Sequence, residues 1–152
     1  MTGEPSSSTA SSIRVEYRFD DPPSLVWRTL TEPDLLARWL MPNDIRAEVG
    51  ATFTFRGEPT PWWEGIVYCE VLEVVRHERL VYRWRGAPQC QQKIETDLDT
   101  IVSWTLIPNP EGGTTLLLEH SGFDSESFVF QAMSNGWSGK AGLLRELMSQ
   151  LN

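Results

Sequence analysis

Apolar and polar residues alternate along several stretches between residues 53 and 121, and this repeat constrains the fold more than any other feature. In the stretches 80–84, 102–106 and 116–120, the alternate positions carry large apolar residues, aromatic rings or a histidine. A period of two is typical of strands that bury one face. Connections of hairpin length follow residues 75 and 107, so the sequence predicts an antiparallel sheet.

Helical patterns lie on both sides of these strands. A strand predicted over 13–19 is followed by prolines that favour two short helices, which carry Trp27 and Trp39. Apolar residues recur at intervals of three and four over 133–151, which predicts a long C-terminal helix. Because an apolar sheet face must be covered, we expect an α+β fold, with a curved antiparallel sheet of six to seven strands around that helix.

Three glycines, Gly136, Gly139 and Gly142, fall within the predicted C-terminal helix at intervals of three. Each disfavours a helix by about 0.5–1 kcal/mol relative to alanine. They indicate either a close approach of another backbone or a bent helix, and the sequence does not separate these alternatives.

Length and charge limit the classes of function. The 152 residues fit one domain over 13–152, preceded by a Ser- and Thr-rich segment, 1–12, that we expect to be a disordered leader. With a formal net charge of −8, the chain should bind neither nucleic acid nor an anionic membrane surface. The two cysteines, Cys69 and Cys90, have no metal or redox spacing, which favours free thiols and a cytoplasmic location.

Residues typical of a catalytic or cofactor site do not cluster in the sequence. The two histidines, His77 and His120, are far apart and have no nearby set of cysteines or carboxylates, so we expect no metal. A glycine-rich phosphate loop and a nucleophile elbow are both absent from the sequence. We therefore predict no cofactor and assign no catalytic residue.

Nine short segments in this order resemble the START-like superfamily, also called SRPBCC, helix-grip or birch-pollen-allergen-like. Within it they are most similar to the branch named after the activator of the heat-shock-protein-ninety ATPase. The segments are VWRTL (26–30), WLMP (39–42), GATFTF (50–55), GIV (65–67), LVYRW (80–84), VSWTL (102–106), GTTLLL (113–118), HSGF (120–123) and GW (136–137).

The resemblance implies a helix-grip fold with a cavity between sheet and helix that holds small hydrophobic molecules. Its members include lipid carriers, polyketide cyclases and hormone receptors, so the fold alone does not define the function. A chaperone partner is disfavoured, because the eukaryotic co-chaperone carries a further N-terminal domain for which this chain has no room. We expect a ligand site lined by Trp39, Phe55, Trp63, Tyr82, Trp84, Trp104, His120, Phe123 and Trp137.

The seven tryptophans could either line this cavity or fill it as ordinary core residues. Trp84 and Trp104 should both face the C-terminal helix, and the opposite result would mean that the strand phase is shifted by one residue. His120 should face the same way near the mouth of the cavity, while Glu119 faces outward. His120 could orient a ligand or act as a base, or it could be a satisfied core histidine.

Connections 57–64, 86–99 and 121–126 should lie together at one end of an antiparallel sheet, where a ligand would enter. Trp62 and Trp63 fall there and suggest either an aromatic lid or a homodimer contact. Glu64, Asp124 and Glu126 also fall there and could meet a ligand or be surface charges.

Binding of a small hydrophobic or aromatic molecule is therefore the leading prediction. Two alternatives stay open. One is a cyclase- or hydrolase-like enzyme that uses His120. The other is a protein-interaction module that acts as a homodimer or on a chaperone.

Overall fold

The computed structural model describes residues 11–59, 65–86, 99–123 and 128–151 of the chain. In chain order the elements are β1 (Ser11–Phe19), α1 (Pro23–Thr31), α2 (Pro33–Trp39), β2 (Thr52–Arg56), β3 (Ile66–Val75), β4 (Arg79–Arg85), β5 (Asp99–Pro108), β6 (Thr114–Phe123), α3 (Phe128–Gly139) and α4 (Ala141–Leu151). The predicted α+β order, with two short helices after the first strand and helix at the C-terminus, is confirmed.

The described strands form one six-stranded antiparallel sheet in the order β1-β6-β5-β4-β3-β2. Each short helix begins with a proline, Pro23 or Pro33, in its first turn. Proline suits this position because its missing N–H would have no partner inside the helix. β1 begins at Ser11, two residues before the apolar alternation, because its backbone pairing with β6 continues to Ser11 and Phe123.

The inner face of the sheet carries the residues that the alternation predicted. Leu80, Tyr82 and Trp84 of β4 and Trp104 of β5 are all buried. The rings of Trp84 and Trp104 each lie 5.5 Å from the ring of Trp137 in α3, measured between centroids. Both tryptophans therefore face the C-terminal helix, and the predicted strand phase is confirmed.

A bulge sets the phase of β3, which the sequence leaves open because apolar residues occur on both of its faces. Val71 pairs with Tyr82, and Glu73 pairs with Val81, so Leu72 has no partner across the ladder. Val67, Cys69 and Val71 are buried before the bulge, whereas Val74 packs against the core after it. One extra residue thus exchanges the faces of the strand.

The C-terminal helix runs as two successive segments, α3 and α4, with Lys140 between them. The Lys140 N–H donates to the Trp137 carbonyl, three residues earlier, and this bond closes a tighter turn than that of an α-helix. Apart from the adjoining residues and the nearby backbone of the helix itself, no described atom lies within 4 Å of where a Cβ would stand on Gly136, Gly139 or Gly142. Of the two alternatives for these glycines, the bent helix fits the structure.

None of the helices in the described ranges is long and apolar enough to cross a membrane.

Candidate functional site

Eight of the nine predicted site residues form one aromatic cluster between the sheet and the helices. Neighbouring rings lie between 4.8 and 6.2 Å apart, measured from centroid to centroid. Every member is at most 3% exposed. The members are Trp39 (α2), Phe55 (β2), Tyr82 and Trp84 (β4), Trp104 (β5), His120 and Phe123 (β6) and Trp137 (α3).

Trp137 holds the cluster to the C-terminal helix. Its ring contacts the rings of Trp84, Trp104 and His120. Its carbonyl oxygen accepts a hydrogen bond of 2.6 Å from the Tyr17 hydroxyl on β1. Strand β1 and strands β4 to β6 are thus all joined to one residue of α3, which fixes where that helix lies on the sheet.

His120 is bonded at both ring nitrogens. The Trp137 indole N–H donates to His120 Nδ1 over 3.0 Å, and an indole nitrogen can only donate. The imidazole proton is therefore on Nε2, which donates to the Thr100 hydroxyl over 2.7 Å. That hydroxyl in turn donates to the Trp84 carbonyl oxygen over 2.9 Å. The chain of bonds links α3, β6, β5 and β4.

Burial keeps the His120 imidazole neutral. Desolvation lowers its pKa from 6.5 to about 3. Its bonded and stacked partners are Thr100, Trp84, Phe123 and Trp137, and none of these carries a charge. With both nitrogens engaged and the ring neutral, His120 has no free lone pair to serve as a general base in this arrangement. The geometry is that of a satisfied core histidine. Glu119 faces outward, as the alternation predicted, and the structure pairs it with Arg14.

Two further tryptophans of the cluster have their indole N–H groups satisfied. The Trp104 N–H donates to the Tyr82 hydroxyl oxygen over 3.0 Å, and the Trp39 N–H donates to the Thr29 carbonyl over 2.9 Å. Burial raises the pKa of Tyr82 far above its ordinary value, which keeps the phenol protonated.

Trp84 is the exception. Within the described ranges, its Nε1 is the one buried side-chain nitrogen or oxygen that has no hydrogen-bond partner. The rings of Phe55 and His120 each lie 5.4 Å from the Trp84 ring, measured between centroids. Because β4 ends at Arg85, Trp84 stands one residue from the end of its strand. A free donor therefore lies inside the cluster, close to the end where β2, β4 and β6 leave the sheet.

The structure adds two residues that the sequence analysis did not select, Thr100 and Tyr17. Thr100 lies directly opposite Trp84 in the β4–β5 register, and that pairing places its hydroxyl within reach of His120. Tyr17 belongs to the inward positions of the alternation in β1, which could have identified it as a core residue. The pairing of β4 with β5 is needed to find Thr100, because a threonine alone gives no functional signal.

Several candidates fall outside the described residues: Trp62, Trp63 and Glu64, then Cys90, and then Asp124 and Glu126. Of the two cysteines, Cys69 is described, and it is a buried free thiol whose pKa is raised by burial. No group of three or more His, Cys, Asp or Glu side chains in the described part of the chain could hold a metal ion.

Comparison with known proteins places this fold among a recognised family. The family model described as Activator of Hsp90 ATPase homolog 1-like protein matches residues 20–149. No curated protein sequence is significantly similar to the chain.

Three solved structures illustrate the similarity. The crystal structure of protein MLL2253 from Mesorhizobium loti is 34% identical, with 93% of this chain and 99% of that chain covered and a TM-score of 0.81. The solution structure of protein BH1534 from Bacillus halodurans is 26% identical over 91% of this chain and 96% of that chain, with a TM-score of 0.70. An Aha1 dimer from Colwellia psychrerythraea shares the fold at 16% identity, covering 91% and 96% of the two chains with a TM-score of 0.74.

Proposed function

The chain belongs to the family of Activator of Hsp90 ATPase homolog 1-like proteins, and from this premise we propose that it binds one small apolar molecule between its sheet and its C-terminal helix. The unpartnered indole N–H of Trp84 carries the proposal. The large majority of buried side-chain polar atoms in folded proteins have a hydrogen-bond partner. Leaving such a donor unpaired costs about 1–3 kcal/mol, so this N–H favours a partner from outside the described part of the chain.

The surroundings of Trp84 suit an apolar ligand. Aromatic rings enclose it, and dispersion and burial are the main attractions that such walls offer. The neighbouring rings of His120 and Trp137 also carry polar atoms, but Trp137 Nε1–H already donates to His120 Nδ1. A ligand in this region would therefore be held by apolar contact and oriented by a hydrogen bond from Trp84.

Position also supports the proposal. Trp84, Phe55 and Phe123 lie on or next to the last residues of β4, β2 and β6, and antiparallel pairing brings these strand ends together. Entry from this end would require Trp84 or Phe55 to change rotamer, since both are buried. Burial of the ligand against these rings would offset that cost.

Fluorescence titration with the uncharged dye N-phenylnaphthylamine tests the proposal. Excitation of tryptophan should give saturable dye emission with one dye per chain, because the site would lie among four tryptophan rings. Leu143→Ser is the control for adsorption of the dye to the surface, because it removes an apolar side chain that is 47% exposed on α4. The titration of this variant should match that of the wild type. Dye emission that rises without saturation, or that is lower in Leu143→Ser than in the wild type, would refute the proposal.

Self-association is a second candidate function, favoured by one comparison. The similar Aha1 from Colwellia psychrerythraea is described as a dimer. Light scattering during size-exclusion chromatography tests this candidate over a wide range of protein concentration. A molecular mass of twice the 17.3 kDa chain would support it, and a monomer at the highest concentration would reject it.

A further inference from the structure

The hydrogen-bonding groups on the inner face of β4 restrict the chemistry of a bound molecule. Tyr82 and Trp84 are two residues apart on one strand, so their side chains leave the sheet on the same side. Both rings contact the ring of Phe55, at 6.2 and 5.4 Å between centroids. A molecule that displaced or moved Phe55 would therefore face both side chains.

Each of these two side chains has a donor that no described group accepts. The Trp84 indole N–H has no partner. The Tyr82 hydroxyl oxygen accepts from Trp104, but its own O–H reaches no acceptor among the described residues. A phenol offers one donor in addition to its acceptor lone pairs, so this proton is available.

Acceptors in the same region are already occupied. His120 accepts at Nδ1 and donates at Nε2, and the Thr100 hydroxyl accepts from His120 and donates to the Trp84 carbonyl. In the described part of the cluster, the side-chain acceptors near the inner face of β4 each already accept one hydrogen bond, whereas the donors of Trp84 and Tyr82 are unpaired.

Charge is disfavoured in the same place. Burial lowers the pKa of His120 and raises that of Tyr82, so both groups stay neutral. The ion pairs closest along β4, those of Arg83 and Arg85 with Asp99, lie on the exposed side of the strand. A carboxylate or ammonium group would lose its hydration here without gaining a counter-ion.

We infer that the ligand is an uncharged apolar molecule with a carbonyl or ether oxygen, which accepts hydrogen bonds from Trp84 Nε1 and the Tyr82 hydroxyl. This inference rests on the proposed function and narrows its ligand class. A single carbonyl oxygen has two lone pairs and can accept both bonds. Hydrocarbons of the same shape would bind through burial alone, and anions such as fatty-acid carboxylates would be rejected.

Fluorene and fluorenone provide a matched pair of probes, because they share a ring system and differ by one carbonyl oxygen. The measured quantity is the ratio of their dissociation constants, which removes the contribution of the shared rings. Trp84→Phe should reduce the preference for fluorenone about two- to tenfold, the range expected for loss of one hydrogen bond. Tyr82→Phe should reduce it in the same direction. Trp27→Phe is the control, because Trp27 contacts His77 outside the cluster, and its ratio should match the wild type.

The outcomes separate the inference from the proposed function. If both probes bind and neither variant changes their ratio, the ligand-class inference is overturned while apolar binding stands. If neither probe binds the wild type, the proposed function itself fails.

A measurement on the unaltered protein covers the case in which Trp84→Phe does not fold. In ¹⁵N-labelled wild type, fluorenone should move the Trp84 indole N–H resonance downfield and fluorene should not. Equal shifts with the two probes would overturn the inference.

Discussion

Acidification should destabilise this protein through one buried side chain, His120. Its pKa is about 3 in the folded protein and 6.5 as an ordinary value. A group whose pKa is lowered by folding contributes fully to stability above its unfolded pKa, and that contribution is lost as the pH falls. The affected window therefore runs from about pH 6.5 down to about pH 3.

The magnitude follows from proton linkage. Within that window the unfolded chain binds one more proton than the folded chain, which lowers the free energy of unfolding by about 1.4 kcal/mol per pH unit. Integration from about pH 7 to about pH 5.5 gives a loss of about 1.3 kcal/mol from His120 alone. Carboxylates titrate mainly below this range, so the interval isolates the histidine.

Urea unfolding at fixed pH values, followed by tryptophan fluorescence, measures this loss. His120→Gln keeps a side chain that can accept from Trp137 and donate to Thr100, but it cannot bind the proton. The variant should be less stable at neutral pH and should lack the additional 1.3 kcal/mol or so of acid sensitivity. Equal pH slopes in the two proteins would refute the assignment of His120 as a buried neutral group.

Three further predictions concern the attachment of α3 to the sheet and the stability of α3 itself. Thr100→Val should lower the free energy of unfolding by about 1–3 kcal/mol, because it leaves the His120 Nε2–H unpaired. An unchanged urea midpoint would argue against the hydrogen bond from His120 to Thr100. Tyr17→Phe should lower the free energy of unfolding, measured in the same way, by about 0.5–1.5 kcal/mol, because the bond to the Trp137 carbonyl is lost. Gly136→Ala should raise the free energy of unfolding by about 0.5–1 kcal/mol, because a Cβ there meets no described atom; a lower melting temperature would contradict this.

The fold could be predicted largely because apolar alternation persists over long strands. Leu80, Tyr82 and Trp84 carry the bulky apolar face of β4, and the structure places this face on the helix side. Alternation does not determine the phase of β3, since that phase depends on the bulge at Leu72. A bulge depends on how two strands pair, and periodicity within one strand does not encode it.

The site could be predicted only as a set of residues. Strand faces brought Trp84, Trp104 and His120 together, but they do not specify which hydrogen bonds form. The role of His120 depends on Thr100, which becomes its neighbour only through the register of three strands. Whether the Trp84 N–H is paired depends on all the groups around it, so no single residue or motif in the sequence could predict that it lacks a partner among the described residues.

Native mass spectrometry of protein purified without detergent from a near-native host is the decisive test for a bound ligand. We expect a non-covalent adduct with one small molecule per chain, and the adduct should remain when Leu143 is replaced by serine. Fragmentation of the released molecule should identify an uncharged compound that contains a carbonyl or ether oxygen. A chain that appears only at its sequence mass, or only as a dimer without adduct, would contradict the claim that this protein binds an apolar ligand.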